Sequence, residues 1–585
     1  MSKTLIDVTR DAAALPELER LKLARIILDL SASSTMPVED AETAWDDEIT
    51  RRLRELRTGG VKGVPLAQVK WRIEAGCINT AEDHLPTRTS QTALWVASCR
   101  RMRSWTLARP VSLPRASRGQ GLNSAAPAAY SVRMKSPAAT THMSHMFRRW
   151  TRVCAALAAA ALGLSDARAA NWAHWRGPQF NGASEETGLP TDFSKTNGVK
   201  WATELPGPAA ATPVVWGDTV FVSSTDRATK TLVAMAFDRR RGTPLWRREV
   251  GSAGGDSDFG KFAAPSPVTD GEVAVFLYGT GELAAFDFAG KKLWARNLQQ
   301  DYGAWCYQWT YGASPTLFDG RLYVLVLQRD VPVHGRGRVD GPNESYLLAL
   351  APATGKELWR HIRPTEADAE SKEAYSTPIP VTHDGTTELL ITGGDCISGH
   401  EPATGRELWR WGSWNRARVD HWRLVPSPVV GEGRALVCAP KGGAVFAVKS
   451  GVNGALDDSA LAWKSEPKNA TTDVATPLYY RGRLYVLNGE RHRLTRLVPA
   501  TGAVDWVGEL GGRAKIEASP TAADGKIYVQ DFRGEVFVLD AGEKFQVLKT
   551  VSLGEEGDDT IRSSIPVSQG NLFIRTNRKL YCVGK

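Results

Sequence analysis

The undecapeptide APATGKELWRH at residues 351–361 returns almost unchanged at 401–411 as EPATGRELWRW. A turn, a charged step and then Leu-Trp is a costly pattern to keep twice unless it is structural, and a period near fifty residues restricts the chain to stacked or ring-shaped arrays. The period extends from about residue 199 to the end. Each unit opens with an apolar strand behind a Ser/Thr-Pro step: Thr212-Pro213, Ser266-Pro267, Ser314-Pro315, Thr377-Pro378, Ser427-Pro428, Thr476-Pro477 and Ser519-Pro520, with Ile565-Pro566 as an eighth, divergent copy. Hairpin turns follow at Gly217-Asp218, Asp270-Gly271, Asp319-Gly320, Asp384-Gly385, Asp524-Gly525 and Gln569-Gly570. Such dipeptides between apolar alternations are strong hairpin signals. A Trp closes seven units, at Trp201, Trp246, Trp294, Trp359, Trp409, Trp463 and Trp506.

Eight four-stranded units predict an all-β, eight-bladed β-propeller over residues 170–585. Each part of the unit has a physical role. Pro lacks an N–H and suits the first residue of an innermost strand that borders a channel. The Trp is expected to wedge between neighbouring blades, where burying about 150–250 Å² is worth about 4–6 kcal/mol. The last unit, IPVSQGNLFIRTNRKLYCVGK, stops after three strands, while VKWATEL at 199–205 is a lone Trp strand. Together they make one blade, which closes the ring and removes exposed edges.

Charge divides the remainder. Residues 1–83 carry 12 Lys+Arg and 15 Asp+Glu, and residues 84–165 carry 12 Lys+Arg and no acid. The overall net charge of +9 therefore belongs to that middle stretch. The propeller is neutral and offers no electrostatic case for nucleic acid. Residues 1–76 read as a small α-helical unit, with Leu18, Leu21, Ala24 and Leu28 on one stripe and a charged second helix ended by Gly59-Gly60. Residues 77–142, without periodicity, are expected to be a disordered basic spacer. In 143–169, MSHMFRRWTRVCAALAAAALGLSDARA, arginines precede a short apolar run and Ala167-Arg168-Ala169, the three parts of a signal peptide. If translation starts near Met143, the product is periplasmic or secreted. Cys154 precedes the apolar run, so the product is not a lipoprotein.

The repeat resembles the PQQ-like (pyrrolo-quinoline quinone) propeller family, organised like WD40-like repeats, with best copies from Ala351 to Trp359 and Glu401 to Trp409. The stretches NWAHWRGPQFNGASEETGLP, QRDVPVHGRGRVDGP and GGDCISGH resemble an exported bacterial subfamily. The family includes quinoprotein dehydrogenases and a scaffold lipoprotein of outer-membrane barrel assembly. The dehydrogenases seat their quinone on adjacent disulfide-bonded cysteines beside Ca²⁺. Here Cys306, Cys396, Cys438 and Cys582 are far apart in sequence, so no cofactor is assigned, PQQ is only an alternative, and no metal site is expected. Residues 1–76 resemble addiction module components, through Glu19-Arg20-Leu21, Ala44-Trp45, Glu48, Arg51-Arg52-Leu53, Glu55-Leu56 and Val61-Lys62. That resemblance implies a toxin partner.

The loops before each Ser/Thr-Pro converge on one mouth of a propeller channel. They carry Lys261, Trp305, Trp309, Tyr311, Tyr375, Arg423, Asp473, Lys515 and Arg562. Aromatics mixed with cations can stack a sugar or clamp an anion. The bland alternative is that these side chains plug the channel and pair among themselves. His334 and His400, each isolated in a turn-rich stretch, are expected to be surface or hydrogen-bonding residues rather than ligands. The leading expectation is an exported, non-catalytic propeller binding a protein or carbohydrate through this face. The alternatives are a quinone-dependent oxidoreductase and an antitoxin role for the N-terminal unit.

Overall fold

The computed structural model describes residues 171–253, 261–383 and 385–585. The readings made for 1–76, 77–142 and 143–169 lie outside the described residues. Eight antiparallel sheets form an eight-bladed propeller. The first complete blade runs Val214–Trp216, Thr219–Asp226, Thr231–Asp238 and Pro244–Ser252 from channel to rim. Ring closure joins Val199–Glu204 as the outermost strand to Lys579–Gly584, followed inward by Asn571–Arg575 and Val567–Ser568. Hydrophobic clusters fill the spaces between blades, and one of them spans the closure, with Trp201, Val215, Phe237, Phe573 and Tyr581. Among the described residues no helix is long and apolar enough to cross a membrane.

The repeated turn and the repeated Trp belong to one joint. Trp294 packs on Gly355 of the next blade, and a Cβ built on that glycine would stand 2.5 Å from the indole. Trp201 meets Gly242, Trp246 meets Gly290, Trp359 meets Gly405 and Trp463 meets Gly502 in the same way, at 2.4–2.6 Å. All five glycines have φ between +67° and +80°, the left-handed region where a side chain is strained. The turn therefore demands glycine twice, once for its backbone and once for the neighbour's ring. The indole N–H then caps a backbone carbonyl in the next blade: Trp201 to Arg239 at 2.8 Å, Trp246 to Phe288 at 3.0 Å, Trp294 to Pro352 at 2.7 Å and Trp463 to Pro499 at 2.7 Å.

The joints at Trp359, Trp409 and Trp506 depart from the pattern; at Trp506 the indole still bonds the Gly542 carbonyl at 3.2 Å, but a Cβ on Gly542 would meet Asp540 first. Trp359 Nε1 has no partner, and the Pro402 carbonyl of the next blade's turn accepts instead from the Tyr323 hydroxyl at 3.1 Å. Beyond Trp409, the turn of the next blade is replaced by a longer connection. Gly454–Leu456 in that connection adds a fifth, parallel strand beside Trp409, and the indole instead donates to Glu388 Oε2 at 2.5 Å. The expectation of four strands per unit therefore fails in this blade.

The channel side is held by a belt of hydroxyls. The backbone N–H of Thr212 donates to Ser266 Oγ, Ser266 to Ser314, Thr377 to Ser427, Ser427 to Thr476, Thr476 to Ser519, Ser519 to Ser564, and Ser564 back to Thr212 Oγ1, at 2.8–3.1 Å. Sequence register had put Ile565-Pro566 at the opening step of the last blade. The structure puts Ser564 on the belt, while Pro566 directly precedes the strand Val567–Ser568 and its carbonyl accepts from Phe573 N–H. The opening step is defined by its hydroxyl more than by its proline.

The other end of the channel is covered by the segment that precedes the first blade. Trp172 exchanges both backbone hydrogen bonds with Val215, Ala173 accepts from Thr269, Asn181 accepts from Tyr479, and Gly182 and Ser184 pair with Ala522. Glu186 accepts from the backbone of Gln569 and Gly570. Arg176, 1% exposed, donates to the carbonyls of Pro520 at 2.8 Å and Pro477 at 2.9 Å. Burial lowers its pKa to about 9, so it remains a cation at neutral pH.

Candidate functional site

Because every innermost strand begins at the hydroxyl belt, the loop before it opens on the same mouth. These loops frame a cavity of about 370 Å³ whose wall includes Ser266, Ser314, Thr377, Thr476, Ser519 and Ser564. Each of these belt hydroxyls except Thr377 is seen accepting a backbone N–H, which leaves its own proton to donate. Trp175, from the covering segment, also lines the cavity.

Of the residues singled out in the sequence, Lys261, Trp309, Tyr375, Arg423 and Arg562 line this funnel. Asp473 and Lys515 are not in its lining but lie close to residues that are. Asp473 Oδ2 lies 3.7 Å from Arg423, and Lys515 Nζ lies 3.0 Å from Glu517. Trp305 and Tyr311 are buried and line a neighbouring pocket, to which Trp309 also belongs. Neither His334 nor His400 reaches the funnel. His334 sits in the Val333–Arg336 turn with φ +50°. His400 is fully buried, with Nδ1 bonded to the Gly405 carbonyl and Nε2 to Ser398 Oγ, both at 2.9 Å.

The carboxylates that organise the funnel were not read from the sequence. Glu373 is bonded by Arg329 and by the Tyr375 hydroxyl at 2.8 Å, and accepts from Gln308 N–H at 3.0 Å. Burial raises its pKa, and these donors only partly reverse the effect. Burial also works to raise Glu517, but Arg562 at 2.6 Å and Lys515 overcome it and hold the carboxyl below its ordinary value. Glu370 accepts from Trp309 Nε1 at 3.2 Å. Glu370 and Glu373 lie in the stretch TEADAESKEAYS, where acidic density was visible but nothing indicated which carboxylates turn inward.

Arg423 differs from the other cations. Its nearest carboxylate atoms, on Glu370 and Asp473, are 3.9 and 3.7 Å away, too far for hydrogen bonds. Its side chain is 16% exposed. The funnel thus presents a guanidinium held in place electrostatically with its directed donors unspent. Among the described residues, Lys261, Arg423, Arg562 and the carboxylate of Glu517 line it.

These residues do not fit a Ca²⁺-held quinone. The propeller's four cysteines are buried thiols without a disulfide, at separate places in the ring. Glu373 and Glu517 are bound to arginines, and among the described residues no group of three His, Cys, Asp or Glu could hold a metal.

No curated protein matches the chain. Solved structures similar to it include BamB from Moraxella catarrhalis, 14% identical, covering 66% of this chain and 99% of that one, with a TM-score of 0.45. The quinohemoprotein alcohol dehydrogenase from Comamonas testosteroni is 13% identical over 72% of this chain and 82% of its own, with a TM-score of 0.48. A europium-containing methanol dehydrogenase is 12% identical over 72% and 90%, with a TM-score of 0.49. Residues 14–69 match the family described as putative addiction module component. Residues 191–326 and 343–585 match the family described as outer membrane protein assembly factor BamB, and with most of its length so matched the chain belongs to that PQQ-like propeller family.

Proposed function

We propose that the propeller is an exported, non-catalytic binding module whose funnel takes a ligand or a partner segment bearing an acidic group. The observation that carries this reading is Arg423, a largely buried guanidinium without a hydrogen bond in the wall of the cavity. A planar carboxylate or phosphate matches its fork, and the belt hydroxyls supply further donors. The family description, an assembly factor, favours a protein partner over a metabolite. The arginine-led apolar run ending in Ala167-Arg168-Ala169 favours export, and residues 14–69 favour a toxin as the separate partner of the N-terminal unit.

Calorimetry with acidic and neutral peptides tests the reading. An acidic peptide should bind, its neutral amide analogue should not, and Arg423→Ala should weaken binding about tenfold or more with the melting temperature nearly unchanged. Equal binding of both peptides, or binding that survives Arg423→Ala, refutes it. In parallel, saturable uptake of PQQ with Ca²⁺, followed by absorbance, would favour the oxidoreductase alternative.

A further inference from the structure

Arg423 stands between two carboxylates. Glu370 Oε1 lies 3.9 Å from its Nε, and Asp473 Oδ2 lies 3.7 Å from one of its terminal nitrogens. Both separations are too long for a hydrogen bond yet well within reach of charge. The Glu370 side chain is 11% exposed against 26% for Asp473, so water and salt screen Glu370 less.

Glu370 is also held where it is. Its Oε1 accepts from Trp309 Nε1 at 3.2 Å, and its Oε2 lies 3.9 Å from Arg329. Arg329 is already bonded to Glu373 and Gln308. Glu370 belongs to the short 3₁₀ turn Ala369–Lys372, and Ser371 ties that turn to the loop that carries Arg423. The Ser371 N–H donates to the Asp420 carbonyl at 3.1 Å. Its hydroxyl donates to the Val419 carbonyl at 2.6 Å and accepts from Trp422 N–H at 2.8 Å. These bonds fix the carboxylate and the guanidinium relative to each other without closing them into a pair.

We infer that the funnel selects a carboxylate over a phosphate, and that Glu370 is the positioned charge that sets the selection; the inference rests on the acidic-ligand reading of Arg423. A carboxylate brings one charge and a planar pair of oxygens, which a guanidinium fork matches. Its remaining substituent is carbon, and Trp309, 49% exposed, offers that carbon a flat apolar face. A phosphate monoester brings about 1.5–2 charges at neutral pH and a third terminal oxygen. The extra charge increases the attraction to one guanidinium but also the repulsion from two carboxylates, and the third oxygen is left outside the fork to face them. Like charges placed against the wrong ligand are a general source of specificity.

The experiment is calorimetry on the full chain with one peptide in three forms. The first has aspartate at its central position and the second has phosphoserine there, both with blocked ends. The third has serine at that position and a free C-terminal carboxylate. One of the two carboxylate forms should bind about tenfold or more tightly than the phosphoserine form, and which one binds tells a side chain from a chain terminus. Glu370→Gln keeps an oxygen to accept from Trp309 and removes the charge. It should narrow the preference about fivefold or more with the melting temperature nearly unchanged. Asp473→Asn, at the more exposed carboxylate, should narrow it by less, and it carries the test if Glu370→Gln does not fold. Phosphoserine binding as tight as either carboxylate form, or a preference that neither variant moves, overturns the inference and leaves the acidic-ligand reading standing. Silence of all three peptides overturns both.

Discussion

Two glycines with the same backbone angle separate the joint between blades from ordinary turn chemistry. Gly355 and Gly320 both have φ +67°. A Cβ on Gly320 would meet nothing within 4 Å, whereas one on Gly355 would stand 2.5 Å from Trp294. Gly320→Ala therefore reports the left-handed backbone alone, about 1–2 kcal/mol, offset by about 0.4–1 kcal/mol from the stiffer unfolded chain. Gly355→Ala carries the same contribution plus the displacement of an indole already bonded to Pro352, and forcing atoms into a packed site adds about 1–3 kcal/mol. The expected losses are about 1 kcal/mol and about 2–4 kcal/mol respectively.

The assay is urea unfolding followed by far-UV circular dichroism, accepted only where the slope is unchanged between variants. Trp294→Ala completes a cycle: with the indole gone, the cost of Gly355→Ala should fall to that of Gly320→Ala. Equal losses for the two glycine variants in the wild-type background would refute the argument that the turn glycine exists to receive the neighbouring Trp. So would a Gly355→Ala penalty that persists without Trp294.

Other consequences follow from the same contacts. Trp409, 1% exposed, should cost about 3–5 kcal/mol on replacement by Ala, whereas Trp359→Phe should change stability by less than about 1 kcal/mol because its indole N–H bonds nothing; both are read by the same denaturation. Arg176→Met should cost about 2–4 kcal/mol by stranding the Pro477 and Pro520 carbonyls, and unchanged stability would show that the covering segment is dispensable. His400 is lowered from 6.5 to about 3 by burial, with Arg363 adding to the effect; its neutral form is the folded one, so its stabilising effect is complete above pH 6.5 and is lost as pH falls toward 3. Between those limits the wild type should lose up to about 1.4 kcal/mol per pH unit that His400→Asn does not lose, and parallel pH–stability curves would rule this out.

The fold was legible because the forces that build it are local and periodic. Alternating apolar residues, Asp-Gly turns and the spaced Trp each recur, and the truncated last unit beside a lone first strand announced the ring closure. What stayed hidden depends on tertiary placement. Gly454–Leu456 lies in GVNGALDDSA, which has no apolar alternation, and it becomes a strand only because Trp409 lacks its usual turn. Ile565-Pro566 drew attention through its proline, while the belt needs the hydroxyl of Ser564. The loops of the site could be named in advance because propeller geometry gathers them. Their pairings could not, since Glu370 and Glu373 resemble any other acids in a charged loop until Arg329 and Tyr375 reach them.

The hydroxyl belt and the covering segment constrain where a ligand can enter. Trp172, Ala173, Asn181, Gly182, Ser184 and Glu186 bind the inner strands of five blades by backbone or backbone-directed bonds, and Trp175 of the same segment lines the cavity. The channel is thus a well with a floor rather than a pore. The buried charge of Arg176 lies next to Trp175, with no hydrogen bond or ion pair to a carboxylate. A cation in a low-dielectric floor favours negative charge above it more strongly than the same cation in water. Arg423 in the wall and Arg176 below therefore bias the well in the same direction, while residues 335–337 and the rings of Trp305, Tyr307 and Tyr311 line a second pocket that shares Trp309 with it. An acidic group entering the well would therefore meet Arg423 in its wall beside the half-exposed face of Trp309.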